Sequence, residues 1–418
     1  MKNPIGTLKM AFFLAYKSVI KGSLWTLIMI ILVTSLSFAN IILTPSLMSG
    51  VTNAINQQQI DTLFGNIIID PPSGENFLQN TSLIQNKLTS IPALQGVAPH
   101  LNGNAIFEYN GPTYNSSSQI QSQTGNWNVI GIDPQKEIQV TTIHNGLIAG
   151  SYLSPDDHNQ IVLGVEISGG SKADSKPFLT LGGVRVGEQV RLTFPGGVQQ
   201  IFTVKGIFKV RQDQANQLAY IPMDDMKSAL GQDISKDISS QILIRTVPHS
   251  NDNQIIQQLN TLGINGQIRN WLDYGGGVGG IVSSFSVITS LIGGIGLVVA
   301  GVVMFIVIYI HVAHRKRQIG ILRAIGVNRV VVLLSYLIQA ILYAILGIVF
   351  GGIIIGFIIK PYFYGHPIDL PIGLVRLVID AGTVRIGILG LLVAAVLAGI
   401  IPAFNITRET IIKAIWGV

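Results

Sequence analysis

The chain of 418 residues contains no cysteine. Disulfides and thiolate metal sites are therefore excluded, and every part of the protein must fold without covalent cross-links. Charge is scarce as well, because Asp, Glu, Lys and Arg make up only 11% of the residues. A soluble domain carries about 25% charged residues. Together with a mean hydropathy of +0.49, this shortage of charge favours a membrane protein.

A third absence concerns nucleotide binding. The sequence has no G-x-x-x-x-G-K-[ST] motif, the phosphate loop that cradles ATP in many ATPases. The nearest glycine cluster, residues 275–280, lacks a lysine and is better explained as a flexible joint. We therefore predict no catalytic, cofactor-binding or metal-binding residues in this chain.

Four apolar runs are long enough to cross a bilayer, which requires about 20 residues in a helix. They are residues 24–43, 285–310, 330–359 and 384–404, and the first three contain no charged residue. Between the first and second runs lie about 240 residues of ordinary soluble composition, enough for one or two folded domains. The predicted fold is a membrane protein with four transmembrane α-helices and a large α/β extracytoplasmic domain between the first and the second.

The distribution of basic residues predicts how these helices are oriented. Residues 1–23, 311–329 and 405–418 together hold eleven basic residues and one acidic residue, whereas residues 44–284 hold 13 basic and 18 acidic residues. Because cytosolic loops carry an excess of Lys and Arg, both termini are expected in the cytosol. The protein is then a multi-pass protein of the cell (inner or plasma) membrane. This topology also explains the pI of about 9.4, so no nucleic-acid partner is expected.

The predicted domains follow from these runs and charges. In order, they are a cytosolic amphipathic helix (1–23), the first transmembrane helix (24–46), the extracytoplasmic α/β domain (47–283), the second transmembrane helix (284–311), a short basic cytosolic helix (312–329), the third transmembrane helix (330–359), an outer loop (360–383), the fourth transmembrane helix (384–404) and a cytosolic tail (405–418). Within the extracytoplasmic domain, strands are predicted at 66–70, 126–133, 160–164, 190–194, 200–208, 219–222 and 240–245, and helices at 223–230 and 252–262.

The amphipathic pattern of the first helix leaves two roles open. Leu8, Phe12 and Tyr16 lie on one stripe, and lysines lie near another, as in helices that rest in the membrane interface. Such a helix can anchor the chain to the membrane, or it can brace the short basic helix at 312–329.

The short basic helix carries the sequence RKRQIGILRAIG over residues 315–326. Ile319, Leu322 and Ile325 recur at intervals of three, and we interpret them as one apolar face. The charged side chains of Arg315, Arg323 and Arg329 are expected to lie in water or at lipid phosphates. Because so short a loop should not bury Ile319 and Leu322 in a core of its own, a partner is expected to cover these two side chains. The alternative is a basic turn that only sets the membrane topology.

Several segments resemble the MacB-type ABC transporter permeases, the group that includes macrolide-exporter, lipoprotein-releasing and FtsX-like permeases. In the outer region, the similar segments are 150–164, Val186-Gly187, 202–208 and 219–222. Residues 315–326 are similar to the "RKREIGILRAIG" helix of that family, with Gln318 where an acid is usual. The segments 401–403 and 412–415 resemble its C-terminal ending, although Ile411 stands where the family has a proline.

The resemblance implies a coupling helix, which contacts a separate cytosolic ABC ATPase subunit; ATP and magnesium would bind to that subunit and not to this chain. The residues assigned to the coupling helix are Arg315, Lys316, Arg317, Ile319, Gly320, Leu322, Arg323, Ala324, Ile325 and Gly326. Further partners implied are a second copy of the chain in a homodimer, or a paralogous permease. Membrane lipids and an outer adaptor or lipoprotein complete the expected set.

Polar residues in the apolar runs suggest a second candidate site. Those of the first and second transmembrane helices lie at the same outer depth and are predicted to line an outward-opening cleft; they are Ser35, Ser37, Asn40, Ser286, Thr289 and Ser290. Hydrogen bonding between helices is the alternative. Two small-residue repeats, Gly347-x-x-x-Gly351 and Gly352-x-x-x-Gly356, are expected to allow close helix packing.

These features favour a non-catalytic permease. It would couple ATP hydrolysis in the separate ATPase to movement of the extracytoplasmic domain, a mechanism called mechanotransmission, and so export or extract hydrophobic or amphipathic cargo. The three charge-free apolar runs argue against an ion channel or a proton-coupled carrier. The alternative is an FtsX-like signal transmitter that activates an extracytoplasmic hydrolase.

Overall fold

The computed structural model describes residues 4–20, 24–110, 123–170, 180–248, 250–274, 276–314, 316–370 and 373–408. The chain divides into two compact units. We call Met1–Ala54, Val282–Leu370 and Leu374–Val418 the membrane unit, and Ile55–Ile281 with Pro371–Gly373 the outer unit.

The described part of the chain forms thirteen α-helices. They are α1 (Pro4–Ile20), α2 (Leu24–Gln59), α3 (Thr81–Leu88), α4 (Pro134–Val140), α5 (Val165–Ser168), α6 (Met223–Ala229), α7 (Asp252–Thr261), α8 (Trp271–Tyr274), α9 (Gly276–His314), α10 (Lys316–Ala324), α11 (Arg329–Ile354), α12 (Lys360–Gly365) and α13 (Ala381–Arg408). Two π-helical turns continue these helices without a break. Ile60–Phe64 follows α2, and Ile355–Ile359 joins α11 to α12.

Fourteen strands are found in the same residues. They are β1 (Ile67–Asp70), β2 (Leu78–Gln79), β3 (Leu94–Tyr109), β4 (Gln123–Ile132), β5 (Leu147–Gly150), β6 (Gln160–Gly164), β7 (Gln189–Thr193), β8 (Gln199–Phe208), β9 (Leu218–Pro222), β10 (Ile238–Ser239), β11 (Gln241–Thr246), β12 (Gln267–Asn270), β13 (Ile368–Leu370) and β14 (Gly373–Val375). Every strand and helix that the sequence predicts in the extracytoplasmic domain is present within a few residues. The expected outer loop at 360–383 also contains α12 and the short strands β13 and β14.

Three helical stretches are long and apolar enough to cross a membrane: Leu27–Phe64, Arg329–Gly365 and Ala381–Ile400. They correspond to the first, third and fourth expected spans. At the position of the second, helix α9 is present, and its apolar stretch within the described residues is Val287–Val303. The first, third and fourth expected spans are therefore found, and the second stays a prediction.

Small residues set the packing of the membrane unit. A Cβ atom on Gly351 would lie 2.8 Å from the backbone oxygen of Ser35, and one on Gly347 would clash with the side chain of Thr34, so this repeat brings α11 against α2. The second repeat differs, because nothing described lies within 4 Å of a Cβ on Gly352 or Gly356. The expectation of close packing is thus confirmed for the first repeat, while the second packs against no described residue of this chain.

The outer unit is built on one ten-stranded mixed sheet. Its hydrogen-bonded order is β12-β1-β11-β3-β4-β9-β6-β8-β5, and β7 pairs with both β3 and β8. Strands β3, β4, β9, β6, β8 and β7 therefore close into a ring. Alternate side chains of these strands fill its interior, including Phe107, Val129, Leu192, Phe202 and Val204, all fully buried.

A second core lies at the other end of the sheet. Strands β1 and β11 pair there with β12 and the first half of β3, and helices α3 and α7 contribute to the same apolar cluster. Ile67, Ile69, Ile242 and Ile244 supply the strand side of this core and are completely buried. The 16 residues of β3 belong to both cores, since its N-terminal half pairs with β11 and its C-terminal half with β4.

Candidate partner-binding site on the short basic helix

Helix α10 is joined to α11 by a turn that the local sequence dictates. Gly326 has φ 94°, a left-handed conformation that glycine adopts without strain. The Gly326 amide donates to the Arg323 carbonyl and the Val327 amide to the Leu322 carbonyl, each at 3.1 Å, which is the Schellman pattern of a helix end. Asn328 then caps α11 by accepting a hydrogen bond from the Val330 amide. The Gly-Val-Asn sequence thus fixes how one helix ends and the next begins.

One face of α10 is buried in the membrane unit. Ile319 is only 1% exposed and belongs to an apolar cluster that includes Val332 and Tyr336 of α11. Gly320 and Arg323 are buried on the same side. The expectation that Ile319 awaits a partner is therefore wrong, because the membrane helices themselves cover it. Arg323 is only 8% exposed, so it does not lie in water; the alternative expectation, a place at lipid phosphates, stays a prediction.

The opposite face of α10 is open. Ile321 is 48% exposed, and Ile325, beyond the last turn, is 73% exposed. Arg317, Gln318 and Ala324 are exposed as well. Two large apolar side chains four residues apart are thus left uncovered by the described residues of the chain, close to the exposed Arg317.

Helical geometry explains why the sequence interpretation chose the wrong face. At about 100° per residue, a step of three residues rotates the side chain by about 60° away from the starting direction. Ile319 and Ile325 are two such steps apart and therefore point in different directions. Ile321 and Ile325 are four residues apart and lie about 40° from each other. Ile321, which the sequence reasoning did not select, could have been found from this spacing.

The remaining residues assigned to this site divide between the two faces. Leu322 is half-buried, and Gly326 is exposed at the turn. Arg315 and the side chain of Lys316 lie outside the described residues. The coupling role of the whole set stays a prediction.

Helix α1 approaches the same region. Ala11 and Ala15 are fully buried, and the Ser18 hydroxyl donates to Gln339 Oε1 of α11 at 3.3 Å. Leu14, Lys17 and Ser18 of α1 line a cavity together with Gln318 and Leu322 of α10. The predicted apolar stripe of α1 (Leu8, Phe12 and Tyr16) is more than half exposed, as a lipid-facing stripe would be. The structure therefore brings α1 next to α10 and leaves room for both the anchoring and the bracing role.

The residues of the predicted outer cleft make mostly local contacts. The hydroxyls of Ser35 and Ser37 donate to backbone carbonyls of their own helix, and Ser35 is buried where α11 packs. Asn40 is exposed and accepts a hydrogen bond from Thr44. In α9, Thr289 is half-buried and Ser290 exposed, whereas the side chain of Ser286 lies outside the described residues. The cleft itself stays a prediction.

The structure combines three features that define a class of membrane protein. They are long apolar helices, a large outer domain inserted after the first of them, and a short basic helix packed against the membrane helices. Residues 290–411 match the family model described as FtsX-like permease C-terminal. Over these residues the chain is similar to FtsX-like permeases, and it is also similar to ABC transporter permeases of the MacB and YknZ type.

Two curated relatives give the extent of this similarity. The macrolide export ATP-binding/permease protein MacB of Campylobacter jejuni is 28% identical over 130 residues, which cover 31% of this chain and 19% of that protein. The uncharacterized ABC transporter permease YknZ of Bacillus subtilis is 26% identical over 131 residues, which cover 31% of this chain and 33% of the relative. The matched region thus spans a third or less of either relative.

Two solved structures are similar to the chain. The periplasmic region of MacB from Actinobacillus actinomycetemcomitans has a TM-score of 0.36 at 15% identity, covering 54% of this chain and 97% of that one. The extracellular domain of YknZ from Gram-positive bacteria has a TM-score of 0.33 at 15% identity, covering 49% of this chain and 97% of that one.

Proposed function

We propose that this chain is the transmembrane subunit of an ABC transporter and couples ATP hydrolysis in a separate cytosolic ATPase to movement of the outer unit. Its work is mechanotransmission, applied to the export or extraction of hydrophobic or amphipathic cargo. The observation that carries this proposal is the two-sided burial of α10. Ile319 fixes the helix to the membrane unit, and Ile321 and Ile325 are left uncovered on the other side.

A partner seated on the uncovered face would move α10 as a rigid element. Its buried face packs on α11 through Ile319, and the capped turn at Gly326 and Asn328 fixes its direction relative to α11. A displacement of α10 is then passed to α11 and, through the Gly351 contact, to α2. Packed helices transmit such displacements because their interfaces are close-packed and do not deform continuously.

The chain passes between the two units at residues 54–55, 281–282, 370–371 and 373–374, and the first two of these points lie within helices α2 and α9. A helix resists compression and bending better than a loop, so motion of the membrane unit has two stiff covalent routes outward. The proposal includes the orientation predicted by the positive-inside rule, with α10 in the cytosol and the outer unit on the opposite side.

The experiment is a partner capture with a matched control. The tagged chain is purified from its native membrane as wild type, as Ile325→Asp and as Ile234→Asp, a control isoleucine that is 53% exposed in the outer unit. A copurifying protein with a phosphate loop and ATPase activity is expected with the wild type and with Ile234→Asp. Loss of one buried isoleucine contact, about 1.5–3 kcal/mol, should reduce its recovery with Ile325→Asp about tenfold or more.

Two results would contradict the proposal. The first is the absence of any ATPase partner from wild-type preparations made under mild conditions. The second is equal recovery with Ile325→Asp and with Ile234→Asp, since the partner would then not bind through the open face of α10.

A further inference from the structure

A cavity of about 330 Å³ opens where α1, α10 and α11 meet within the membrane unit. Its wall consists of Leu14, Lys17, Ser18, Gln318, Leu322, Val332, Ser335, Tyr336 and Gln339. Along α11 the lining residues recur at the three- and four-residue spacing of one helix face, from Val332 to Gln339, which is a length of about 10 Å. The wall of the cavity therefore combines apolar and polar side chains.

Gln339 is a buried polar residue of this wall. It is only 3% exposed and lies in an apolar helix, where an amide is costly unless its hydrogen-bonding groups are satisfied. Its Oε1 atom accepts from Ser18, but its Nε2 amide donates to no residue of the described part of the chain. Because Gln339 lines the cavity, this amide can donate to an oxygen acceptor bound there.

Lys17 and Gln318 add an ammonium group and a second side-chain amide to the wall. Lys17 is exposed and lies in the last turn of α1, with its ammonium group 5.9 Å from the centre of the Phe13 ring. Residues 1–23 and 311–329 contain nine basic residues and no acidic residue. An anionic group with several oxygen acceptors matches this combination of charge and amide donors.

The rest of the surroundings indicates that this anion belongs to a lipid. Leu8, Phe12, Phe13 and Tyr16 of α1 are each more than 50% exposed, the property of a helix that lies in the membrane interface. Leu14, Leu322 and Tyr336 give the cavity an apolar side that a free inorganic anion would not use. A space of this size holds a head group and glycerol but leaves the acyl chains outside, in the bilayer.

We propose that this cavity binds the phosphate and glycerol portion of an anionic phospholipid from the cytosolic leaflet. The phosphate accepts hydrogen bonds from Lys17 and Gln318, and the ester oxygens accept from the Gln339 amide. Because the ligand contacts α1, α10 and α11 at once, it holds α10 in place and so links lipid composition to coupling. The side of the membrane rests on the orientation given above, whereas the binding itself does not require an ATPase.

The test measures lipid binding to the purified full chain by native mass spectrometry. The probes are phosphatidylglycerol, phosphatidylcholine and glycerol 3-phosphate, each titrated separately. The variants are Lys17→Ala and Gln339→Leu. Their controls are Lys9→Ala, an exposed lysine of the same helix that does not line the cavity, and Asn53→Leu, an exposed amide of α2.

Wild type is expected to retain phosphatidylglycerol about tenfold better than phosphatidylcholine, because both lipids carry the phosphate but only phosphatidylcholine places a cationic choline group beside Lys17. Lys17→Ala and Gln339→Leu each lower that retention about threefold to tenfold, and both controls leave it unchanged. Lys17→Ala keeps the test decisive if Gln339→Leu fails to fold, because Lys17 is exposed.

Three results would overturn the proposal. Equal retention of the two lipids would show that the site does not select an anion. Binding of glycerol 3-phosphate as tight as that of phosphatidylglycerol would make it a site for a soluble phosphate. An unchanged affinity in Lys17→Ala would show that the lipid binds elsewhere. None of these results depends on an ATPase partner, so the two proposals can fail separately.

Discussion

His100 Nε2 lies 2.6 Å from Glu137 Oε2 in the interior of the outer unit, and both side chains are almost completely buried. The Thr141 hydroxyl donates to the second carboxylate oxygen at 2.7 Å. His100 is on β3 at the point where this strand pairs with both β11 and β4, and Glu137 is on α4. The pair therefore ties α4 to the strand shared by the two cores of the sheet.

Removing one member of this pair should destabilise the outer unit. His100→Ala leaves the Glu137 carboxylate buried without its partner, which costs about 3–5 kcal/mol. Hydrogen exchange of the β3 and α4 amides in the full chain measures the loss. In the control, Arg191→Ala breaks the exposed pair with Glu108, 3.2 Å apart, and should cost less than about 1 kcal/mol. If His100→Ala and Arg191→Ala destabilise the outer unit equally, burial does not make the His100–Glu137 pair the stronger of the two.

The same pair makes stability depend on pH. Burial alone raises the pKa of the Glu137 carboxyl, but the charge and hydrogen bond of His100 and the hydrogen bond of Thr141 outweigh it and hold this pKa below its ordinary value of 4.5. A lowered pKa stabilises the folded state above 4.5, and this contribution is lost as the pH falls through the folded-state pKa.

Glu137→Gln isolates this contribution because the variant cannot titrate at this position. We expect the wild type to be more stable than Glu137→Gln at neutral pH, with a gap that narrows as the pH falls below 4.5. Thermal unfolding of both full chains over this range gives the comparison. A gap that stays constant or widens in acid would show that the carboxylate is not stabilised by its neighbours.

The two faces of α10 should respond differently to the same substitution. Ile319→Asp removes a buried side chain worth about 1.5–3 kcal/mol and buries an unpaired charge, so the membrane unit should lose stability and yield. Ile321→Asp alters a half-exposed position and should change the free energy of unfolding by about 0.5 kcal/mol or less. Thermal unfolding in detergent distinguishes them. Similar losses in both variants would mean that α10 is not docked through Ile319.

Two neighbouring glycines of α11 provide a further test. Gly351→Ala places a Cβ 2.8 Å from the Ser35 oxygen and pushes α11 away from α2. We expect this change to lower the free energy of unfolding by about 1–3 kcal/mol. Gly352→Ala meets nothing described within 4 Å and should be neutral or stabilising by about 1 kcal/mol, since alanine favours helix. Thermal unfolding of the two variants is compared with wild type. If Gly352→Ala is the more harmful, that face is occupied by another molecule.

The orientation can be measured directly because the chain has no cysteine. Single cysteines are introduced at Glu75 in the outer unit and at Ala324 on α10, both exposed positions. An impermeant maleimide added to intact cells should label Glu75→Cys and should reach Ala324→Cys only after the membrane is opened. Labelling of Ala324→Cys alone in intact cells would reverse the topology.

Much of the outer unit was predictable because period-two alternation and turn residues mark half-buried strands. Residues 160–164, for example, coincide with β6. Strand β3 and helices α3 and α4 were not predicted. The Asn- and Gln-rich sequence around β3 has weak alternation, and its strand is stabilised by pairing with β11, β4 and β7, which lie far away in the chain.

The sequence by itself determined the membrane class, the expected orientation and the turn between α10 and α11. Apolar length, net charge and the Gly-Val-Asn caps act locally, so neighbouring residues are sufficient to specify them. Only the tertiary structure decided which side of α10 is open, that Arg323 is buried and that α1, α10 and α11 enclose a cavity around Gln339. These features depend on which helices meet, and a side chain's burial is set by residues up to 321 positions away, as between Ser18 and Gln339.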